Sequence, residues 1–141
     1  MWRGRDLETG MAQKELEIIL ARQLTSYLSI PAFIVDPDGT LLYYNEAAEA
    51  VLGRRFAETG ELALADWATG FEQTDDSGAP LDPAVQPLVV AVTQRRPAHG
   101  QFWIRGLDGV RRHVEVTGLP LIGTGSRYVG AIAYFWTLPE P

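Results

Sequence analysis

Cysteine is absent from this 141-residue chain, and histidine occurs only twice. Without cysteine there can be no disulfide bond, thiolate metal site or thiol nucleophile. His113 shares a predicted strand face with Glu115, but two ligands do not make a metal site, and a surface ion pair is the simpler expectation. The composition therefore predicts no metal centre and no cysteine chemistry.

Long apolar runs and an excess of positive charge are also lacking. No stretch reaches the roughly 18 apolar residues of a membrane span, and residues 1–10 lack the apolar segment of a signal peptide, so we expect a cytoplasmic protein with no membrane partner. The net charge of −6 argues against nucleic acid as a partner, because phosphate binding needs a basic surface. There is no P-loop, nucleophile elbow, HExxH motif or Cys–His pair, so the sequence does not predict an enzyme.

The strongest local pattern lies in residues 31–53, PAFIVDPDGTLLYYNEAAEAVLG. Residues 32–35 and 41–44 are short β-prone runs. Between them, Asp-Pro-Asp-Gly at residues 36–39 is typical of a tight turn. Asn45 is a good N-cap for the short helix that follows. The segment therefore predicts a β-hairpin that leads directly into a capped helix.

The N-terminal part predicts an amphipathic helix from Ala12 to Leu28. Its apolar stripe, from which Ile18 is excluded, consists of Leu16, Ile19, Leu20, Leu24, Tyr27 and Leu28. Two interpretations stay open, and they are compatible: the helix lies on the domain's own sheet, or it pairs with the same helix of a second subunit.

The rest of the chain reads as short helices followed by three strands. Residues 54–60 are a connector, 61–69 one or two helical turns, and 75–78 an exposed loop. A looser turn that opens at Asp82 leads into a helix from Pro87 to Arg95, whose buried face we expect to hold Val85, Leu88, Val89 and Val92. The strands are Ala98–Arg105, Arg111–Leu121 and Tyr128–Leu138, the last apolar on both faces as in a central strand. The pattern predicts an α+β fold, with an antiparallel sheet and helices on one side.

The hairpin with its Asn-initiated helix, together with residues 78–121, resembles a PAS domain. The resemblance covers about residues 29–138; residues 1–28 would be a flanking helix for dimerisation or signalling, and 139–141 a tail. It implies a five-stranded antiparallel sheet with a pocket under the helices. It places near that pocket Phe33, Val35, Tyr43, Phe56, Trp67, Leu88, Val92, Phe102, Ile104, Val116, Ile132 and Tyr134, with Leu52, Leu62 and Val114 beside them.

Two functions follow from this resemblance. One is a sensory domain that binds a small, mostly apolar ligand and signals through a homodimer or an effector such as a kinase. In this interpretation Tyr43, Trp67 or Tyr134 orients the ligand, and residues 61–95 cover it as a mobile lid. The other is a ligand-free interaction module, in which the same residues are ordinary core.

Known PAS cofactors can be weighed against the same residues. The resemblance implies no covalent chromophore, because sulfur-linked flavin and thioester pigments need cysteine. Haem-binding members carry a histidine on the helix before the last three strands, and the helix from Pro87 to Arg95 has none, so haem is not expected. Flavin bound non-covalently is compatible with the sequence, but no glycine-rich dinucleotide fingerprint supports it.

Overall fold

A computed structural model describes residues 16–139 as one antiparallel five-stranded sheet with short helices. The helices are α1 (residues 16–26), α2 (Glu46–Leu52), α3 (Phe56–Thr59), α4 (Leu64–Gly70) and α5 (Pro87–Gln94), with single 3₁₀ turns at Pro83–Val85 and Thr124–Ser126. The strands are β1 (Ala32–Val35), β2 (Leu41–Tyr44), β3 (Ala98–Arg105), β4 (Arg111–Ile122) and β5 (Tyr128–Thr137), in the spatial order β2-β1-β5-β4-β3. The predicted α+β class, the five-stranded sheet and the central position of the last strand are confirmed.

The β1–β2 hairpin forms for the reason that its sequence indicates. The Asp36 carboxylate accepts hydrogen bonds from the backbone N–H groups of Asp38 and Thr40, at 2.9 and 3.0 Å. Gly39 adopts a φ of 88°, which favours glycine. Asn45 caps α2 by accepting a hydrogen bond from Ala48 N, as predicted.

The two faces of the sheet bury different sets of side chains. The inner face, under α2 to α5, holds the main core, which includes Phe33 of β1, Phe102 and Ile104 of β3, Val114 and Val116 of β4, and Phe135 of β5. The outer face carries a smaller cluster built on Ala32, Ile34 and Ile132, against which Ile18 and Ala21 of α1 pack. α1 therefore lies on the domain's own sheet, as one of the two interpretations expected. It occupies the face opposite the short helices α2 to α5, which share one side of the sheet.

The face that α1 turns to the sheet is the reverse of the predicted one. Ile18, which the sequence pattern excludes from the stripe, packs on the outer face of the sheet together with Ala21. The predicted stripe points outwards: Leu16, Ile19, Leu20, Leu24 and Tyr27 are exposed. Ile18 and Ala21 are three residues apart on one side of the helix, and the fit to the sheet selects them over the larger set of apolar residues that hydrophobic periodicity favours. Residues 12–15 of the predicted helix lie outside the described residues.

Two other details of the helical layer differ from the predictions. Residues 56–59 of the expected connector form a helical turn, α3. Val85 belongs to an exposed 3₁₀ turn and not to the buried face of α5, because the helix begins only at Pro87. α5 itself lies close on β4, where a Cβ at Gly118 would be 2.5 Å from the carbonyl oxygen of Pro87. Within residues 16–139, no helix is long and apolar enough to cross a membrane.

Candidate functional site

A cavity of about 70 Å³ lies between the helical layer and the inner face of the sheet. Its walls come from the end of α2, from α4 and the segment that follows it, from the start of α5 and from every strand except β2. The lining residues are Phe33, Leu52, Trp67, Phe71, Gln73, Gln86, Pro87, Leu88, Phe102, Ile104, Val114, Val116, Ala133 and Phe135. None of these residues, all within the described part of the chain, carries a charge. The arrangement suits a small neutral molecule, since an unpaired charge would be costly to bury there.

Two buried glutamines are the polar members of the wall, and the sequence analysis missed both. Gln73 Nε2 donates to the carbonyl oxygen of Trp67 at 2.7 Å, and Gln86 Nε2 donates to that of Ala68 at 2.8 Å. Both carbonyls belong to the last turn of α4, which has no intrahelical donors for them. Among the described residues, the buried side-chain oxygen Gln73 Oε1 has no hydrogen-bond partner. Nothing in the sequence marks these glutamines, because both sit in turn-rich segments that read as surface.

Half of the twelve predicted site residues lie around this cavity. They are Phe33, Trp67, Leu88, Phe102, Ile104 and Val116, joined by Leu52 and Val114 of the wider set. Val35 and Val92 are buried in the same core but do not line the cavity. Phe56 is also outside the cavity wall; it packs against the edge of this core and contacts the ring of Tyr44.

Tyr43, Ile132 and Tyr134 lie on the opposite face of the sheet, in the cluster under α1. Side chains alternate along a strand, so the cavity receives Ala133 and Phe135 of β5 in place of Ile132 and Tyr134. The two tyrosine hydroxyls expected to orient a ligand are therefore not in the cavity wall.

Trp67, the third of these polar candidates, uses its N–H inside the protein. Its indole is 3% exposed, and Nε1 donates to the carbonyl oxygen of Gly39 at 2.7 Å. The ring meets Phe33 edge to face, with centroids 5.8 Å apart. Trp67 thus offers the cavity a ring surface, and the glutamine amides supply the polar groups.

Both histidines stand on strands β3 and β4, and neither lines the cavity. His99 Nε2 and Glu115 Oε1 are 2.7 Å apart, and the other ring nitrogen is 2.7 Å from Thr117 Oγ1. Glu115 is therefore hydrogen-bonded to His99 and not paired with His113, which stacks on Trp103 at a centroid distance of 4.5 Å. Within residues 16–139, no three His, Cys, Asp or Glu side chains are grouped to hold a metal ion.

Asn45 joins α1 to the cavity-bearing domain. It is 1% exposed, and its Oδ1 accepts from the backbone N–H groups of Ala32 and Ala48, both at 3.0 Å. Its Nδ2 donates to the carbonyl oxygens of Thr25 and Ile30, both at 2.9 Å. One buried amide thus fixes the end of α1, the start of β1 and the start of α2 relative to one another.

A second tie holds the other end of α1. Arg127, beside the β4–β5 turn, donates through Nη2 to Glu17 Oε1 at 2.8 Å. Both side chains are largely withdrawn from solvent, which strengthens the attraction relative to an exposed pair. α1 is therefore anchored to the sheet at both ends of the described helix.

Two tyrosines near the helical layer are held neutral by their surroundings. Burial raises the pKa of Tyr44, whose hydroxyl donates to the carbonyl oxygen of Arg54 at 2.9 Å. Burial also raises the pKa of Tyr128, whose hydroxyl donates to the carbonyl oxygen of Val92 at 2.9 Å. Both hydroxyls are engaged within the protein and do not line the cavity.

Comparison with known proteins agrees with this geometry. A family model described as "PAS fold" matches residues 26–140. Solved structures with a similar fold include a PAS domain from Colwellia psychrerythraea (15% identity, 86% of this chain and 96% of that chain covered, TM-score 0.59) and a PAS domain from a two-component sensor histidine kinase (16%, 89% and 100%, 0.55).

A light-oxygen-voltage domain studied with a flavin analogue is also similar (16% identity, 87% of this chain and 85% of that chain covered, TM-score 0.61). At these identities the likeness concerns the fold. No curated protein shows significant sequence similarity to the chain.

Proposed function

Because the chain belongs to the PAS-fold family, we propose that it is a sensory domain that binds a small, mostly apolar molecule in the cavity and transmits its occupancy to α1. The observation that carries this proposal is the cavity itself: a space of about 70 Å³ lined by apolar side chains and two buried amides. A ligand would gain from removing apolar surface from water and from meeting a few polar groups that fix its orientation.

Larger cofactors fit this site poorly. Pockets for drug-sized ligands measure about 300–1,000 Å³, far more than the space that Trp67, Phe71 and the strands leave here. Flavin, an analogue of which was used with the similar light-oxygen-voltage domain, would require the helical layer to move substantially. Haem would also need an axial ligand, and the wall contains no histidine.

The route from cavity to α1 follows from the contacts of α2 and β1. Leu52 of α2 and Phe33 of β1 line the cavity. The starts of these two elements are bonded to Asn45, and the same amide holds the end of α1. A ligand that shifts α2 or β1 would therefore change the position of α1, provided that the two arrangements bind the ligand with different affinity.

An interaction role is the second candidate, and the outward face of α1 favours it. Leu16, Ile19, Leu20 and Leu24 are each more than half exposed on one side of this helix. Contact with the same stripe of a second copy would bury all four on both subunits, as an isologous two-fold interface requires. If the domain is a sensor, this homodimer or an attached effector such as a kinase receives the signal. If the domain binds no ligand, forming the dimer is its whole function.

Native mass spectrometry of protein purified directly from cells tests the ligand proposal. We expect an added mass on the wild-type chain, and we expect Ala133→Leu to lose it because the larger side chain fills the cavity wall. Ala57→Leu, at an exposed position of α3, is the matched control and should keep the added mass. A wild-type spectrum with no added mass, or one that Ala133→Leu leaves unchanged, would favour the interaction role.

A further inference from the structure

The two glutamine amides allow the ligand to be specified further, on the premise that the cavity is the binding site proposed above. Their donor ends are committed: Gln73 Nε2 and Gln86 Nε2 satisfy the adjacent carbonyl oxygens of Trp67 and Ala68 at the end of α4. Rotating the Gln73 amide by 180° would place its oxygen against the Trp67 oxygen, two acceptors facing each other. The orientation of the amide is therefore fixed by the end of the helix.

This orientation leaves the Gln73 oxygen as a strong acceptor in an apolar surrounding. Gln73 is 8% exposed, and within residues 16–139 its Oε1 has no partner. Buried polar atoms are nearly always hydrogen-bonded, because an unpaired one forfeits its bond to water. Gln73 lines the cavity with its donor used and, among the residues that the structure describes, its acceptor free. The oxygen itself is almost completely covered, so a donor reaches it when a bound molecule displaces the neighbouring side chains.

We propose that the cavity selects a neutral molecule with an apolar body and one N–H or O–H group that donates to Gln73 Oε1. Neutrality follows from the wall, whose residues carry no charge to pair with an ion. The apolar body follows from the side chains of Phe71, Leu88 and Phe102 that face the same space. Simple phenols and small alcohols belong to this class.

The size of the cavity limits the ligand to about one ring. An apolar cavity of about 150 Å³ holds benzene, so the 70 Å³ found here admits roughly half of such a ring without movement. The rest of a ring would displace side chains or occupy the mouth of the pocket. The three fused rings of flavin are outside this range.

Phenol and toluene form a matched pair of probes, since they have the same size and differ in a hydroxyl against a methyl group. We would titrate each into the full-length, ¹⁵N-labelled chain and obtain both Kd values from backbone shifts. The side-chain amide signal of Gln73 should move with phenol and stay in place with toluene. The toluene-to-phenol Kd ratio should fall roughly tenfold in Gln73→Leu, because the hydroxyl loses its buried acceptor. Gln101→Leu, on the exposed side of β3, is the control and should keep the wild-type ratio.

The outcomes separate this inference from the proposed function. If both probes bind in the cavity but the ratio is the same in wild type and Gln73→Leu, the site binds ligands and the donor rule is wrong. If Gln86→Leu changes the ratio and Gln73→Leu does not, the acceptor has been assigned to the wrong residue. If neither probe binds at millimolar concentration, the inference fails together with its premise. If Gln73→Leu does not fold, the wild-type protein still provides the test. The inference then requires that the side-chain amide signal of Gln73 moves with phenol and not with toluene.

Discussion

Asn45 carries the most demanding structural role in the described chain, and replacing it should weaken the whole domain. Its side chain is 1% exposed and makes four short hydrogen bonds, to Thr25, Ile30, Ala32 and Ala48, at 2.9 to 3.0 Å. A longer contact joins its Nδ2 to the carbonyl oxygen of Leu28 at 3.5 Å. Asn45→Ala removes all four at a position that water cannot readily enter. The partners left behind belong to three different elements, so the damage is not confined to one helix cap.

The magnitude follows from these bonds. At about 1 kcal/mol for each neutral hydrogen bond, Asn45→Ala should lower the free energy of unfolding by about 4 kcal/mol. Asn45→Ser retains an oxygen that can cap Ala48 N but cannot reach the carbonyls of Thr25 and Ile30. We expect it to cost about half as much, since the α2 cap survives and the tie to α1 is lost.

Asn45→Asp has the same shape and makes the account testable by pH. The introduced carboxyl keeps the two acceptor bonds but turns a second oxygen towards the carbonyls of Thr25 and Ile30. Burial and these carbonyl dipoles raise its pKa in the folded state above the ordinary value of about 3.9. The folded protein then binds the proton more tightly than the unfolded chain. The variant is therefore closest to wild type below about pH 4 and loses stability as the pH rises through the raised pKa.

Urea unfolding of wild type, Asn45→Ala, Asn45→Ser and Asn45→Asp at pH 4 and pH 7 provides the measurement. We expect the deficit of Asn45→Asp to grow between the two pH values while that of Asn45→Ala stays constant. The reasoning would be refuted if Asn45→Asp matched wild type at pH 7, because a buried carboxylate cannot face two carbonyls without cost.

Three further predictions concern separate parts of the molecule. Trp67→Phe keeps an aromatic side chain but loses the indole N–H that donates to the Gly39 carbonyl. It should lower the free energy of unfolding by at least about 1–2 kcal/mol, because the smaller ring also leaves space unfilled; a urea midpoint equal to that of wild type would contradict this. Hydrogen bonding to the Arg112 guanidinium lowers the pKa of Asp108 to about 2, so its contribution to stability is present above pH 4 and is lost as the pH falls towards 2. Asp108→Asn should therefore flatten the fall in stability across that window, and an NMR titration of Asp108 with an ordinary pKa would overturn the assignment. Leu20→Asp should turn the proposed homodimer into a folded monomer by light scattering, whereas a monomeric wild type would remove the interface.

The hairpins and caps could be predicted from sequence because their determinants are local. Asp36 and Gly39, and Asn45 in its capping of α2, act on backbone groups within a few residues, as their residue types predict. The bounds of β3 match the prediction, since a proline precedes the strand and an Asp-Gly turn follows it. In such elements, the groups that determine the local structure are close to one another in the sequence.

The errors arise where the deciding contacts are distant in sequence. β5 is apolar on both faces, so alternation does not show that Ala133 faces the cavity while Ile132 and Tyr134 face α1. In α1 a larger apolar stripe competes with the smaller face of Ile18 and Ala21, and only the shape of the sheet decides between them. Gln73 is polar and follows a helix end, and its burial depends on α5 and the strands that enclose it.

The central claim is that occupancy of the cavity is coupled to α1, and hydrogen exchange tests it most directly. Exchange would be measured on the full chain with and without saturating phenol, over residues 61–95 and residues 16–26. We expect slower exchange in residues 61–95, as a mobile layer closes on the ligand, together with a change in residues 16–26 that Asn45→Ser abolishes. Phenol bound in the cavity with exchange unchanged in both segments would contradict the account.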